Sequence, residues 1–322
     1  MKKLLLLTIL FDFTSLAAQT DAATLAKKLT AGLNSDHQKV KAIFQWITDN
    51  IAYTTFTKHQ RKNKYPVPEP DDEGPLKPLN ERVAETVLRR RTAFCDGYAK
   101  LFKVLCGHAG IRSEIISGYA RGAFGRGGLK FGVNHNWNAV FLEDKWQLLD
   151  VTWASGYINL RDGEFVRDYN DRYFLTAPEV FIKDHYPDDP RWTLLPDDKV
   201  PDEFRHSPFR QKAFAKYSFT SFYPGKGIIE AAVGDTIVLQ LETGRTGAGT
   251  ISPTLNIDSS FFSHSSSWVF LKPDRSLPQA ETSPRQQYTY TVAGANVRWL
   301  YLLYNDDVVM RYKINVKSQQ HH

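Results

Sequence analysis

The sequence has 322 residues, roughly twice the usual length of one domain, which excludes a lone small module. Hydrophobic residues make up 42% of it and charged residues 24%, enough apolar material for packed cores and too much for a disordered chain. Two cysteines exclude a disulfide-stapled scaffold, no apolar run reaches the roughly 20 residues that span a bilayer, and a net charge of +6 scattered among acids excludes a nucleic-acid face.

The chain opens with Lys2-Lys3, an apolar run from Leu4 to Phe11 and small residues from Ser15 to Ala18, the order of a secretory signal. Residues 1–17 are therefore expected to be removed and the protein exported, periplasmic or secreted, with no transmembrane segment after cleavage. A mildly basic surface in that setting can meet an anionic cell-envelope polymer, although an ordinary solvated surface accounts for so modest a charge. Leu25, Leu29 and Leu33, then Val40, Ile43, Ile47 and Ile51, recur at helical spacing with a break at Asn34-Ser35-Asp36, which predicts two helices. The five prolines and the acids between Tyr65 and Asn80 predict an irregular segment, followed by a short helix over Val83 to Arg90. From Cys95 to Ala109 the residues Tyr98, Phe102, Leu105 and Ala109 line one face of a core helix that Gly110 stops.

After Ile111 the period changes to two. Strands are expected from Ser113 to Tyr119, from His135 to Leu142 and from Trp146 to Trp153, with a glycine-dense connection from Arg121 to Gly132 and a turn at Glu143-Asp144-Lys145. That connection lacks the Gly-Lys-Ser/Thr ending of a phosphate loop, because Gly128-Leu129-Lys130-Phe131 stands there instead. Beyond about Phe204 the helical pattern fades, and candidate strands follow at Thr236–Leu241, Thr254–Ile257, Trp268–Leu271, Gln287–Val292, Arg298–Tyr304 and Val308–Val316, with a turn at Asn305-Asp306-Asp307. The layout is α+β: a domain over 18–204 in which helices pack on an antiparallel sheet, then a small all-β sandwich over 205–322.

Cys95 opens a helix, where unpaired backbone amides and the dipole favour a thiolate. Cys106 lies eleven residues on and about 16 Å away along the same helix, too far to be bridged, and reads as a small buried hydrophobe. A nucleophilic cysteine needs a base and the base an orienting acceptor; His135 and Asp150 supply that pair. A loop of two or four residues at Glu143 to Lys145 puts them on one side of the sheet, and a three-residue loop without a bulge puts them on opposite faces. No zinc pattern arises from Cys95, Cys106, His108 and His135, and no calcium loop is present, so neither a metal nor a cofactor is expected.

Several ordered motifs carry a family resemblance. Cys95-Asp96-Gly97-Tyr98-Ala99, Gly110-Ile111, Ser117-Gly118-Tyr119, His135-Asn136-Trp137-Asn138, Trp146 to Asp150 and Thr152-Trp153 resemble the transglutaminase-like superfamily. Tyr173-Phe174-Leu175, Pro178, His185-Tyr186-Pro187 and Trp192 to Leu195 resemble its kyphoscoliosis-peptidase-like branch, and the similarity spans about residues 38 to 196. The resemblance implies a papain-like core in which Cys95 attacks an amide or ester carbonyl, His135 manages the proton and Asp150 holds the imidazole. Peptide or protein substrates and protease-like hydrolysis are the expectation, with acyl transfer open. The alternative is a non-catalytic envelope binding or assembly protein on the same fold. Asn136 departs from the small residue usual after the histidine. Tyr53 and Trp46 are open as oxyanion donors, with core packing the stronger expectation for both, and His185 is expected to be a structural hydrogen-bonding residue.

Overall fold

The computed structural model describes residues 21–55, 77–122, 131–159, 161–196, 199–244, 267–274 and 285–317. The expected signal segment, most of the proline-rich stretch, most of the glycine-dense connection and the candidate strand at Thr254–Ile257 lie outside the described residues.

Two capped helices come first. In α1 (Ala22–Thr30) the Asp21 carboxylate accepts from the Thr24 amide at 2.7 Å. In α2 (Asp36–Asn50) Ser35 and Gln38 form a reciprocal capping box, which places the break where the sequence signalled it. The third helix, α3 (Leu79–Arg90), begins four residues before the expected Val83. The prolines end at Pro78, which occupies the cap position, where its missing N–H costs no helical bond. Arg91 then turns left-handed at φ 58°, and strand β2 (Thr92–Ala93) pairs in parallel with β1 (Ala52–Tyr53). This short ribbon ties the end of α2 to the residue that precedes α4 (Cys95–His108).

α4 is the central helix of the first domain. Tyr98, Leu101, Phe102 and Leu105 are fully buried, and Gly110 at φ 76° ends the run. The lack of a side chain at Gly97 is required by packing, because a Cβ there would sit 2.8 Å from the Ala93 Cβ. The helix lies against β3 (Ser113–Ala120) and β4 (His135–Leu142) of a four-stranded antiparallel sheet ordered β5-β4-β3-β8, with β5 at Lys145–Leu149 and β8 at His185–Pro187. Ile116, Trp137, Ala139 and Leu148 share one apolar core with the helices.

The joint between β4 and β5 is a two-residue turn. Leu142 pairs with Lys145, and Glu143 and Asp144 both take positive φ, 49° and 59°, as a tight hairpin requires. The strand expected to run to Trp153 stops at Leu149. Asp150 instead caps a short helix, α5 (Val151–Ser155), because its carboxylate accepts from the Thr152 and Trp153 amides at 2.8 and 3.1 Å. The ribbon of β6 (Gly156–Ile158) and β7 (Phe165–Arg167) and a helical turn, α6 (Pro178–Phe181), lead to β8.

The C-terminal part is a β-sandwich. Its elements are β9 (Phe209–Arg210), α7 (Lys212–Lys216), β10 (Phe219–Tyr223), β11 (Ile228–Ala232), β12 (Thr236–Thr243), β13 (Trp268–Leu271), β14 (Arg285–Thr291), β15 (Trp299–Tyr304) and β16 (Asp307–Lys317). One sheet is ordered β10-β12-β14 and the other β11-β16-β15-β13, with β9 on β16. Leu239, Leu241 and Tyr288 meet Leu300, Leu302, Met310 and Tyr312 between them.

The two parts share a third core, formed by Tyr119, Phe131 and Tyr186 from the first and Phe209, Trp299 and Tyr301 from the second, with the fully buried Phe204 at the junction. Arg311 is completely buried here. Its guanidinium donates to the Pro187 and Asp188 carbonyls and lies 4.7 Å from the centre of the Phe209 ring and 5.2 Å from those of Tyr186 and Trp299. The Arg210 amide donates to the Phe131 carbonyl at 3.0 Å, so main chain also crosses the seam.

A Cβ at Gly118 would fall 2.3 Å from Trp137 and 2.4 Å from the Tyr186 carbonyl, whereas one at Gly107 meets nothing within 4 Å. Gly118→Ala is expected to cost about 1–3 kcal/mol through overpacking. Gly107→Ala, in an open helical position, should stabilise by roughly 0.5–1 kcal/mol. Urea midpoints of the two variants check the contrast.

Candidate active site

Three elements deliver three side chains to one place. Cys95 is the first residue of α4, and no side chain caps that end, so the first-turn amides keep their positive field for the sulfur. His135 is the first residue of β4, paired across the sheet with Gly118. Asp150 stands where β5 gives way to α5. The hairpin register therefore fixes how far the imidazole lies from the carboxylate. Asn138 fixes the helix to the sheet, its Nδ2 donating to the Ala99 carbonyl at 3.0 Å and the Glu114 carbonyl at 3.2 Å.

The Asp150 carboxylate is completely buried and fully used. Oδ1 takes the two amides of α5, while Oδ2 accepts from His135 Nε2 at 2.7 Å and from His185 Nε2 at 3.0 Å. An ionised carboxylate only accepts, so His135 Nε2 carries the hydrogen and its Nδ1 faces the sulfur. Trp137 and Trp153 flank the His135 ring at 6.2 and 5.7 Å between centroids. Cys95 is half-buried, whereas His135 and Asp150 are buried.

Charge separation stabilises all three groups. Burial opposes ionisation of the Cys95 thiol, but hydrogen bonding to His135, the charge of that ring and contacts from Asn136 overcome it and hold the thiol below its ordinary range. Burial likewise works against a charged imidazole at His135. The Asp150 carboxylate and the Cys95 sulfur reverse that effect and raise the group to about 10. Asp150 is held well below the usual carboxylate range because the two imidazoles outweigh its desolvation. The site thus favours charge on the sulfur and on the His135 ring, with a buried carboxylate behind them.

His185 extends the array. Its Nδ1 meets Asp184 Oδ1 at 2.6 Å, and Asp184 is paired with Arg172 at 3.0 Å. Phe181 stacks on the ring at 4.3 Å, with Trp153 and Trp137 edge-on at 4.6 and 5.1 Å. The structural role expected for this histidine is thus a shared hold on the same oxygen that His135 uses. His135, Asp150 and His185 also place three potential ligand atoms within 4.8 Å of one another. Both Nε2 atoms point at one Oδ2 at hydrogen-bond length, the arrangement of a proton-bearing network.

The remaining expected residues fall into place as follows. Cys106 is fully buried, and its burial pushes the thiol up, in keeping with a core role. Tyr53 stacks on Tyr98 at 6.4 Å and meets Phe94 at 5.9 Å, and Trp46 lies under Arg91 at 5.1 Å, so both serve packing. Asn136, singled out only as a departure, lies beside Cys95, with Nδ2 3.8 Å from the sulfur.

Residues 23–151 match the family model described as transglutaminase-like superfamily. Kyphoscoliosis peptidase of Mus musculus is 32% identical over 216 residues, covering 66% of this chain and 30% of that protein. The Homo sapiens kyphoscoliosis peptidase is 30% identical over 227 residues, covering 70% and 32%. The chain thus spans about a third of the length of these curated relatives. The periplasmic domain of TgpA from Pseudomonas aeruginosa aligns over 41% of this chain and 42% of that one, with 22% identity and a TM-score of 0.29. With its motifs in order and its helix-on-sheet core in place, the chain belongs to the transglutaminase-like superfamily, on the branch that holds the kyphoscoliosis peptidases.

Proposed function

We propose that this protein is a cysteine-dependent hydrolase of peptide or protein amide bonds, with Cys95 as nucleophile, His135 as acid and base, and Asp150 as the group that orients the imidazole. The observation that carries the reading is the 2.7 Å bond from His135 Nε2 to Asp150 Oδ2, with the Cys95 sulfur coupled to the opposite edge of the same ring. The Cys95 sulfur attacks the scissile carbonyl carbon, and the backbone amide of Cys95 faces the oxygen as it gains charge. His135 Nδ1–H passes its proton to the departing amine, which breaks the C–N bond and leaves a thioester. Water then attacks that thioester with Nδ1 taking its proton, the acid product leaves, and the thiolate–imidazolium pair is restored. Asp150 stays ionised throughout and keeps Nε2–H in place.

Likeness to the kyphoscoliosis peptidases supports hydrolysis over transfer to an amine, and the exported setting expected from the amino-terminal pattern belongs to the same proposal. A peptide mixture incubated with the protein should yield new amino termini that disappear in Cys95→Ala. Incorporation of a primary amine without cleavage would replace hydrolysis with acyl transfer. Loss of both reactions would leave a binding protein on this fold.

The charge arrangement gives two further expectations. Iodoacetamide at pH 6 should label Cys95 and spare Cys106 until the protein is unfolded, as mass spectrometry would show. Turnover should fall on the alkaline side as His135 loses its proton near 10, because the leaving amine then has no donor. On the acid side it should fall only below the ordinary thiol range of about 8.5.

Replacing His185 removes one hydrogen-bond partner from the buried Asp150 carboxylate. His185→Leu is expected to lose about 1–3 kcal/mol of stability in urea unfolding, the scale for leaving a buried polar group one partner short. His185→Gln, which keeps a donor toward Asp150, should recover part of that loss and of the turnover.

A further inference from the structure

We propose that the sandwich domain orders the catalytic centre: Lys212, acting through Ser117, sets the Asn136 carboxamide so that its Nδ2 donates to the Cys95 sulfur, making Lys212 and Ser117 positioning residues. This rests on the reading of Cys95 as the nucleophile. Ser117 and Asn136 are directly opposed in the β3–β4 register, so their side chains meet, with Ser117 Oγ 2.7 Å from Asn136 Oδ1. Lys212, the first residue of α7, brings its Nζ to 3.2 Å from the same Oγ.

Donor and acceptor logic orients the chain of contacts. A lysine ammonium has only hydrogens to give, so Ser117 Oγ accepts from it and spends its single hydrogen on Asn136 Oδ1. The amide nitrogen is then the end that faces the sulfur, at 3.8 Å. Rotating the amide by half a turn would aim a carbonyl oxygen at a thiolate and an N–H at a hydroxyl hydrogen. Without Lys212 the hydroxyl is free to reverse and that penalty shrinks.

The anchor of Lys212 is firm. β9, which precedes it, pairs with β16 and bonds to the Phe131 main chain, and Arg311 clamps Pro187 and Asp188 beside it. The Asp188 amide in turn donates to the Ser117 carbonyl at 2.8 Å. The groups that act on the sulfur are His135 and the backbone and side chain of Asn136. Lys212 and Arg311 act in turn on Asp188, whose burial raises its carboxyl.

The test is the pH dependence of alkylation by neutral iodoacetamide, which needs no substrate, in full-length protein with folding checked by circular dichroism. Asn136→Ala should slow labelling of Cys95 at pH 6 about three- to tenfold, the scale of one ordinary hydrogen bond lost. Lys212→Met and Ser117→Ala should each slow it about twofold to threefold, Lys212→Arg should restore the rate, and the losses should persist in 1 M salt, where the screening length is about 3 Å. Ser117→Ala keeps the lysine charge and removes the link, so an unchanged profile there, with Lys212→Met slowed only at low salt, would reduce Lys212 to a distant field and overturn the proposal. An unchanged profile in Asn136→Ala would overturn it as well. A wild-type sulfur that reacts only in the ordinary thiol range would instead remove the ion pair on which the proposed function stands.

Discussion

A carboxylate with no access to water must be fully paired or it unfolds its surroundings, and Asp150 is such a group. Four donors from three elements converge on its two oxygens: the amides of Thr152 and Trp153, His135 from β4 and His185 from β8. Each partner therefore has its place dictated by a shared need. The hairpin turn at Glu143-Asp144, the end of β5 at Leu149 and the edge position of β8 are the backbone solutions that bring those donors together. The sulfur at the mouth of α4 then meets an imidazole already oriented from behind.

The candidate trio was legible because its residue types suit a nucleophile, a base and an orienting acceptor and stand in the order of a family's motifs. Cys95 precedes a helical period, His135 begins an alternating run, and Asp150 lies within another. The turn between the last two was not, since two- and four-residue loops permit the same face and only the positive φ at both turn residues distinguishes the outcome. The end of β5 was hidden for a different reason. Leu149, Val151 and Trp153 keep an apolar rhythm past the point where the Asp150 side chain captures two amides and starts a helix.

His185 lay beyond sequence reading as a site member, because a three-residue edge strand has no period to detect and its partner is 35 residues away. Asn138 is similar: a buried amide that joins α4 to the sheet looks like any polar residue in a strand. The sandwich was visible through its long strands, while β9, β10 and β11 were missed. β9 has only two residues, and β10 and β11, of five each, alternate too weakly to stand out. These pairings are set by tertiary contact, which outweighs local preference.

The buried guanidinium of Arg311 has a bearing on how such chains can be rearranged. It is attached to the second half, yet the carbonyls it satisfies and one of the rings it lies against belong to the first. Cutting the chain at the junction would strand a cation in one fragment and leave bare aromatic faces on both. The halves are thus joined as a single inheritable unit, and recombination that swapped either one would have to carry matching residues along the whole seam.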